Sequence, residues 1–218
     1  DFQDYSLEFW IRPRKLDTES TKQILREEND WVFNWLPESN LIEFRNKDSG
    51  LQYCTFSNVI SGVWTHIAIS RPYSSLIFNC YKDARRDQVI RFGNKSPQDQ
   101  YPDNIYLGNN FHGNIAEMRF WLREVRSEDS FREFLNKYFE EPYPNNLNLY
   151  WRLVEPTELN VIEEYIGNRD TTIPNSFVQN QIWVQENVDE FICSTSQYLE
   201  NGNCIDCHPE CEECVGGG

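Results

Sequence analysis

The chain has 218 residues, 39% of them hydrophobic and 15% aromatic, and a formal net charge of −15. That length allows one large all-β domain or two ordinary ones, with enough apolar bulk for a core. A surface this acidic repels phosphate backbones and anionic lipid, which argues against nucleic-acid and membrane-surface partners, and no apolar run is long enough to span a bilayer.

Most of the chain alternates apolar and polar residues with period two, the pattern of half-buried strands. Tyr5, Leu7, Phe9 and Ile11 form one face of a first strand, and Trp31, Phe33 and Trp35 one face of a second. Leu41 to Phe44 and Leu51 to Phe56 read as a hairpin joined through Lys47-Asp48-Ser49-Gly50. Val63, Thr65, Ile67 and Ile69 share a face, and Arg71-Pro72 closes that strand because proline cannot donate to a ladder. Strands are also predicted at Leu76–Tyr81, Ile105–Leu107, Gly113–Leu122, Leu147–Val154 and Gln181–Gln185. Ser127 to Phe139 breaks the pattern. Phe131, Phe134, Leu135 and Tyr138 fall at i, i+3, i+4 and i+7, which predicts one helix. Its start is signalled equally by the Ser130–Glu133 capping-box spacing and by Ser127 before Glu128 and Asp129. The expected fold class is all-β: two packed antiparallel sheets with one short helix.

After Asp189 the composition changes. Cys193, Cys204, Cys207, Cys211 and Cys214 form a C-x10-C-x2-C-x3-C-x2-C ladder. We read a body over 1–190 and a small disulfide-rich segment over 191–218. Such a segment is stabilised by cross-links, each contributing roughly 2–4 kcal/mol, and that places it in an oxidising compartment. Zinc is the rival, but only His208-Pro209-Glu210 separates the two Cys-x2-Cys pairs, too short a loop for the usual tetrahedral site. Cys54 and Cys80 each lie in a predicted strand. They are either two buried thiols or a bridge; we favour the bridge, which requires α-carbons within about 7 Å. With no leader pattern at its start and an odd cysteine count at its end, the chain is expected to be a piece of a longer protein.

Several phrases, taken in order, carry a family resemblance. Tyr5-Ser6-Leu7-Glu8-Phe9-Trp10-Ile11 opens the series, and Trp64-Thr65-His66-Ile67-Ala68 follows. Ile105-Tyr106-Leu107-Gly108 then precedes Phe111-His112-Gly113-Asn114-Ile115-Ala116-Glu117-Met118-Arg119-Phe120-Trp121. The series resembles the laminin-G-like, pentraxin-like branch of the concanavalin A-like sandwiches, which implies a jelly-roll. The tail, with Tyr198 inside the Cys193–Cys204 loop, resembles furin-like, growth-factor-receptor cysteine-rich repeats. Such pairings resemble parts of large cell-surface proteins, including those of ciliated protists. Cys193–Cys204 is the expected first bridge of the tail.

The resemblance implies loop carboxylates for calcium, with Asp48, Asp83, Asp87, Asp99 and Asp103 as the positions to consider. Ala116 stands where the family carries Asp, and Lys82-Asp83 where it carries a turn Asn-Gly, which favours solvated acidic loops instead. A sugar site needs aromatic faces, for which Trp10, Trp35, Tyr101 and Phe111 are the positions; the same residues suit a core equally well. Asn94-Lys95-Ser96 is a glycosylation sequon. Hydrolases on this fold place Glu-x-Asp-x-Glu along one strand face, and the chain has no such triplet. Gly-x-Ser-x-Gly and His-Glu-x-x-His are also absent. The expected function is therefore a non-enzymatic extracellular recognition or adhesion module, part of a larger complex, that binds a glycan or protein at the cell surface. It would meet a membrane only through segments outside this chain. The alternatives are a purely structural domain of a surface complex and a glycan-processing enzyme.

Overall fold

The computed structural model describes residues 4–15, 21–27, 31–72, 77–91, 105–109, 111–135, 137, 139, 141–152, 161–162, 171–172, 197–200 and 203–206. The strands are β1 (Tyr5–Pro13), β2 (Lys22–Glu27), β3 (Trp31–Leu36), β4 (Leu41–Asn46), β5 (Gln52–Phe56), β6 (Thr65–Arg71), β7 (Ile77–Lys82), β8 (Arg85–Arg91), β9 (Ile105–Asn109), β10 (Gly113–Leu122) and β11 (Leu147–Trp151). Between β10 and β11 lies helix α1 (Glu128–Phe134). One six-stranded sheet runs in the order β11-β10-β1-β6-β7-β8 and a five-stranded sheet in the order β5-β4-β3-β2-β9. Every neighbouring pair is antiparallel. The chain starts in the larger sheet, builds β2 to β5 in the smaller, returns for β6 to β8, and visits the smaller once more at β9.

The alternating aromatics explain why the two sheets pack. Tyr5, Leu7, Phe9 and Ile11 of β1 face Trp31, Phe33 and Trp35 of β3 and Ile42 and Phe44 of β4 in one continuous core. The rings interlock across the layers: Phe9 meets Phe33 edge-on at 5.3 Å, and Phe44 meets Phe78 of β7 edge-on at 5.0 Å. Each such side chain, fully buried, stabilises the fold by about 1.5–3 kcal/mol. Cys54 of β5 and Cys80 of β7 form a disulfide with α-carbons 6.4 Å apart. The bridge crosses between the sheets, from the edge strand β5 to β7, which lies one in from the edge of the larger sheet.

The two-sheet sandwich and the single helix match the expected class, with differences that have physical causes. β2 and β8 were not anticipated. β8 (Arg-Arg-Asp-Gln-Val-Ile-Arg) and β2 (Lys-Gln-Ile-Leu-Arg-Glu) are rich in charge, and each has only two apolar residues, side by side, so neither shows the period-two alternation. The turn after β7 is Asp83-Ala84, not Lys82-Asp83. Both residues have positive φ, 50° and 54°, the geometry of a two-residue hairpin turn, and Lys82 pairs with Arg85 across it. Asp87, expected in a loop or at a strand end, lies inside β8. The helix spans Glu128–Phe134 instead of Ser127–Phe139. Ser127 is its N-cap, and its hydroxyl accepts from the Ser130 N–H at 3.3 Å.

β1 departs furthest from the half-buried pattern. Its polar residues Ser6 and Glu8 are as buried as its apolar ones, because the outer face of the larger sheet lies under α1 and the segments flanking it. The predicted strand Gln181–Gln185 and the boundary at 190 lie outside the described residues. Two short antiparallel pairs complete the elements: β12 (Val161–Ile162) with β13 (Thr171–Thr172), and β14 (Gln197–Glu200) with β15 (Asn203–Asp206). The second pair overlaps the end of the expected Cys193–Cys204 loop and runs past it, and Cys204 sits on β15 opposite Leu199.

Candidate functional site

The sandwich has two outer faces, and they differ in chemistry. On the larger sheet, period two directs Glu8, His66, Arg119 and Trp121 to the outer side. There they join in a buried polar network. Glu8 accepts from Trp121 Nε1 at 2.9 Å and from His66 Nε2 at 2.9 Å, while the Arg119 guanidinium lies 3.7 Å away. Burial alone would push the Glu8 carboxyl up, but the Arg119 charge, the His66 hydrogen bond and the more distant Arg126 charge outweigh it and hold it below the usual carboxylate range. An ionised carboxylate only accepts, so His66 Nε2 carries the proton. Arg119 also donates to Glu117 at 2.8 Å, and Glu117 accepts from the Tyr150 hydroxyl at 2.6 Å. Burial and the Glu117 carboxylate push the Tyr150 phenol up, so it stays a donor.

This network holds the helix down. Arg119 donates to the carbonyls of Phe134, at 2.8 Å, and Lys137, and Trp10 Nε1 donates to the Leu135 carbonyl at 3.2 Å. The carbonyls that end the helix are thereby satisfied by side chains of the sheet beneath. Arg126, stacked 3.9 Å over the Trp121 ring, donates to the Ser130 carbonyl. Glu117 has a positive φ of 50° at a bulge in β10 and is kept there by its bonds to Arg119 and Tyr150. Ala116 packs against Trp10. Gly113 is also fixed by geometry: with φ of 146°, an added Cβ would come within 2.7 Å of the Phe111 ring and 2.9 Å of the Pro13 Cα. The polar groups on this face are thus spent on one another and on the helix that covers them.

The outer face of the five-stranded sheet is built differently. Cross-strand register lines up Tyr106, Arg26, Val32, Arg45 and Gln52 in one row, running over β9, β2, β3, β4 and β5. The adjacent row is Gln23, Asn34, Glu43 and Thr55. Val32 and Asn34 sit at the centre, 5% and 4% exposed, and Tyr106 stands at the rim, 38% exposed. Arg26 lies over the Tyr106 ring at 4.4 Å. Asn34 Nδ2, Arg26 Nε and Arg45 Nε are all buried donors with no acceptor. Arg119, Arg126, Arg132 and Arg152, by contrast, lie beside carboxylates. The Nε atoms of Arg119, Arg126 and Arg152 also lack an acceptor, so what sets Arg26 and Arg45 apart is that no carboxylate among the described residues stands beside them.

A sequence model of the concanavalin A-like lectin/glucanases superfamily matches residues 1–129. The chain belongs to that superfamily. Among solved structures, this lectin/glucanase sandwich is similar to a candidate carbohydrate-binding protein from Bacteroides ovatus, with TM-score 0.57 and 18% identity, covering 79% of this chain and 54% of that one. It is also similar to the receptor-binding domain of botulinum neurotoxin D, with TM-score 0.49 and 13% identity, covering 80% and 49%. A structure of botulinum neurotoxin type C, whose cell entry depends on interaction with two ganglioside molecules, matches with TM-score 0.45 and 13% identity, covering 62% and 37%. At such identities the likeness is one of fold. The chain spans about half the length of the first two structures. No curated protein matches it.

Within the lectin/glucanase sandwich, the residues singled out from sequence scatter. Trp10 and Trp35 are 2% and 0% exposed, so neither offers a ring face to solvent: Trp35 is in the inter-sheet core and Trp10 lies under Leu135. Phe111 is half-buried against the core and covers Gly113. Asp48 sits in the β4–β5 turn, where its N–H donates to Asn46 Oδ1. Asp83 Oδ1 accepts from the His66 N–H at 3.0 Å, and burial pushes its carboxyl up despite that bond. Asp87 belongs to β8. Among the described residues, no three His, Cys, Asp or Glu side chains gather where they could hold a metal ion. Asn94, Asp99, Tyr101, Asp103, Cys193, Cys207, Cys211 and Cys214 lie outside the described residues. The rows on the five-stranded sheet were not singled out from sequence. Their only signal is polar residues such as Asn34 between core aromatics, which reads as any solvated strand face until register places Arg26 and Arg45 on either side of Val32.

Proposed function

We propose that this chain is a non-enzymatic extracellular recognition or adhesion module of a larger cell-surface protein, and that it engages a glycan through the outer face of the five-stranded sheet. The observation that carries this is the set of buried donors without acceptors, Asn34 Nδ2, Arg26 Nε and Arg45 Nε, spread over three adjacent strands of one face, with Arg26 against the Tyr106 ring at its rim. Polar groups that fix hydroxyls, next to an aromatic rim, are what a saccharide surface requires. The superfamily and the Bacteroides ovatus likeness agree with such a role. The inter-sheet disulfide and the cysteine ladder beyond Asp189 fit an oxidising environment, with the tail as the start of a cysteine-rich stalk. A non-enzymatic role is supported by the composition of the two rows, where Glu43 is the only carboxylate; glycoside hydrolysis ordinarily uses a pair.

The test is a glycan array run beside a hydrolysis assay on the same saccharides. Binding without turnover supports the proposal. Binding to neither, with retention of a protein partner, assigns a protein-only or structural surface role. Turnover of any saccharide overturns the reading in favour of an enzyme.

A further inference from the structure

Resting on that recognition role, we infer that the face selects a saccharide bearing acidic substituents, with the anions held by Arg26 and Arg45 and the sugar hydroxyls by Gln23, Asn34 and Glu43. The protein carries a net charge of −15, yet these two guanidiniums have no carboxylate partner among the described residues. They flank Val32 in one cross-strand row, which places their strands two spacings apart, about 9.6 Å. That is the spacing of their backbones; Arg26 reaches the other way, over the Tyr106 ring, so the two planar forks offer separate contacts to oxyanions with paired oxygens on one saccharide. The neighbouring row has the opposite character. Asn34, 4% exposed with Nδ2 unpartnered, offers a donor, Gln23 opposite it offers both roles, and Glu43 opposite it on the other side accepts. One row is suited to an anion and the other to hydroxyls. An acidic sugar carries both within one ring, whereas a neutral glycan leaves the arginine row unanswered. Glu43 lies two residues from Arg45 on the same strand face and disfavours dense polyanions.

Carboxylate and sulfate share this chemistry, and the experiment separates them. Isothermal titration of the intact chain is run with an oligogalacturonate, with the same oligosaccharide methyl-esterified and so uncharged, and with a sulfated galactan oligosaccharide. An acidic form is expected to bind at least about tenfold more tightly than the esterified one, with affinity falling as salt rises. Preference for the galacturonate identifies a carboxylate and preference for the galactan a sulfate; either supports the inference. Arg26→Gln and Arg45→Gln are each expected to weaken acidic binding about tenfold, and Arg26→Lys to restore part of it. Unchanged thermal melts will show that the variants remain folded. Equal affinity for the esterified form, indifferent to both arginine substitutions, overturns the inference and leaves glycan recognition standing. Failure of all three saccharides also overturns it, while the recognition role is then judged by the array alone.

Discussion

The Arg119 guanidinium, rooted in strand β10, donates to the main-chain carbonyl of Phe134 at the end of helix α1 at 2.8 Å. A strand cation thereby terminates the helix, and the same group neutralises Glu8 and Glu117 beneath it. The only helix of the described structure is fixed by what lies under it more than by its own length, since a helix of seven residues has little stability alone.

Substituting Arg119→Met is therefore expected to be severe. It removes the shared counter-charge of two buried carboxylates, leaving Glu117 with Arg152 and Glu8 with His66, and frees the helix-terminal carbonyl of Phe134 and that of Lys137 beyond it. Removing one partner of a buried pair costs about 3–5 kcal/mol. Urea denaturation of the variant will measure this. A loss under about 1 kcal/mol would show that the network behaves as an exposed one.

Acid should loosen the fold through Glu8. Its carboxyl is held below the value of about 4.3 expected for an unfolded glutamate. The unfolded state therefore binds the proton first as pH falls. The stabilisation is fully present above about pH 4.3 and is lost as pH drops through the depressed folded value. Glu8→Gln should flatten the dependence of unfolding free energy on pH in this window. A variant with the same slope as the parent removes Glu8 as the source.

Asp83 works in the opposite sense. Burial raises its carboxyl, so ionising it in the folded state is unfavourable, and the cost is present above the raised value and absent at low pH. Asn keeps an oxygen acceptor for the His66 N–H and tolerates the φ of 50°. Asp83→Asn should raise the melting temperature at neutral pH, with the gain vanishing below about pH 4. An equal gain at all pH values would assign the effect to the turn geometry alone.

Losing the Cys54–Cys80 bridge should cost about 2–4 kcal/mol, because it closes a loop of sequence separation 26 and joins the sheets. The double Cys→Ala variant isolates this from effects on the tail cysteines. Denaturation midpoints of parent and variant that coincide under oxidising conditions would show that the bridge contributes nothing.

Some of this was legible in the residues themselves. The alternation of Tyr5, Leu7, Phe9 and Ile11, or of Trp31, Phe33 and Trp35, specifies a buried strand face without knowledge of what it packs on, because side-chain direction in a strand is a local property. The hairpin at Lys47–Gly50 and the helix start at Ser127 are equally local, set by turn and cap chemistry. What covers the other face is not local. Ser6 and Glu8 read as solvent-facing positions and are fully buried, because a helix more than a hundred residues later folds over them. Likewise Arg26, Asn34, Glu43 and Arg45 are ordinary polar residues on three separate strands. Only tertiary pairing, whose register depends on the packing of the whole sandwich, sets them side by side as a face with donors awaiting acceptors.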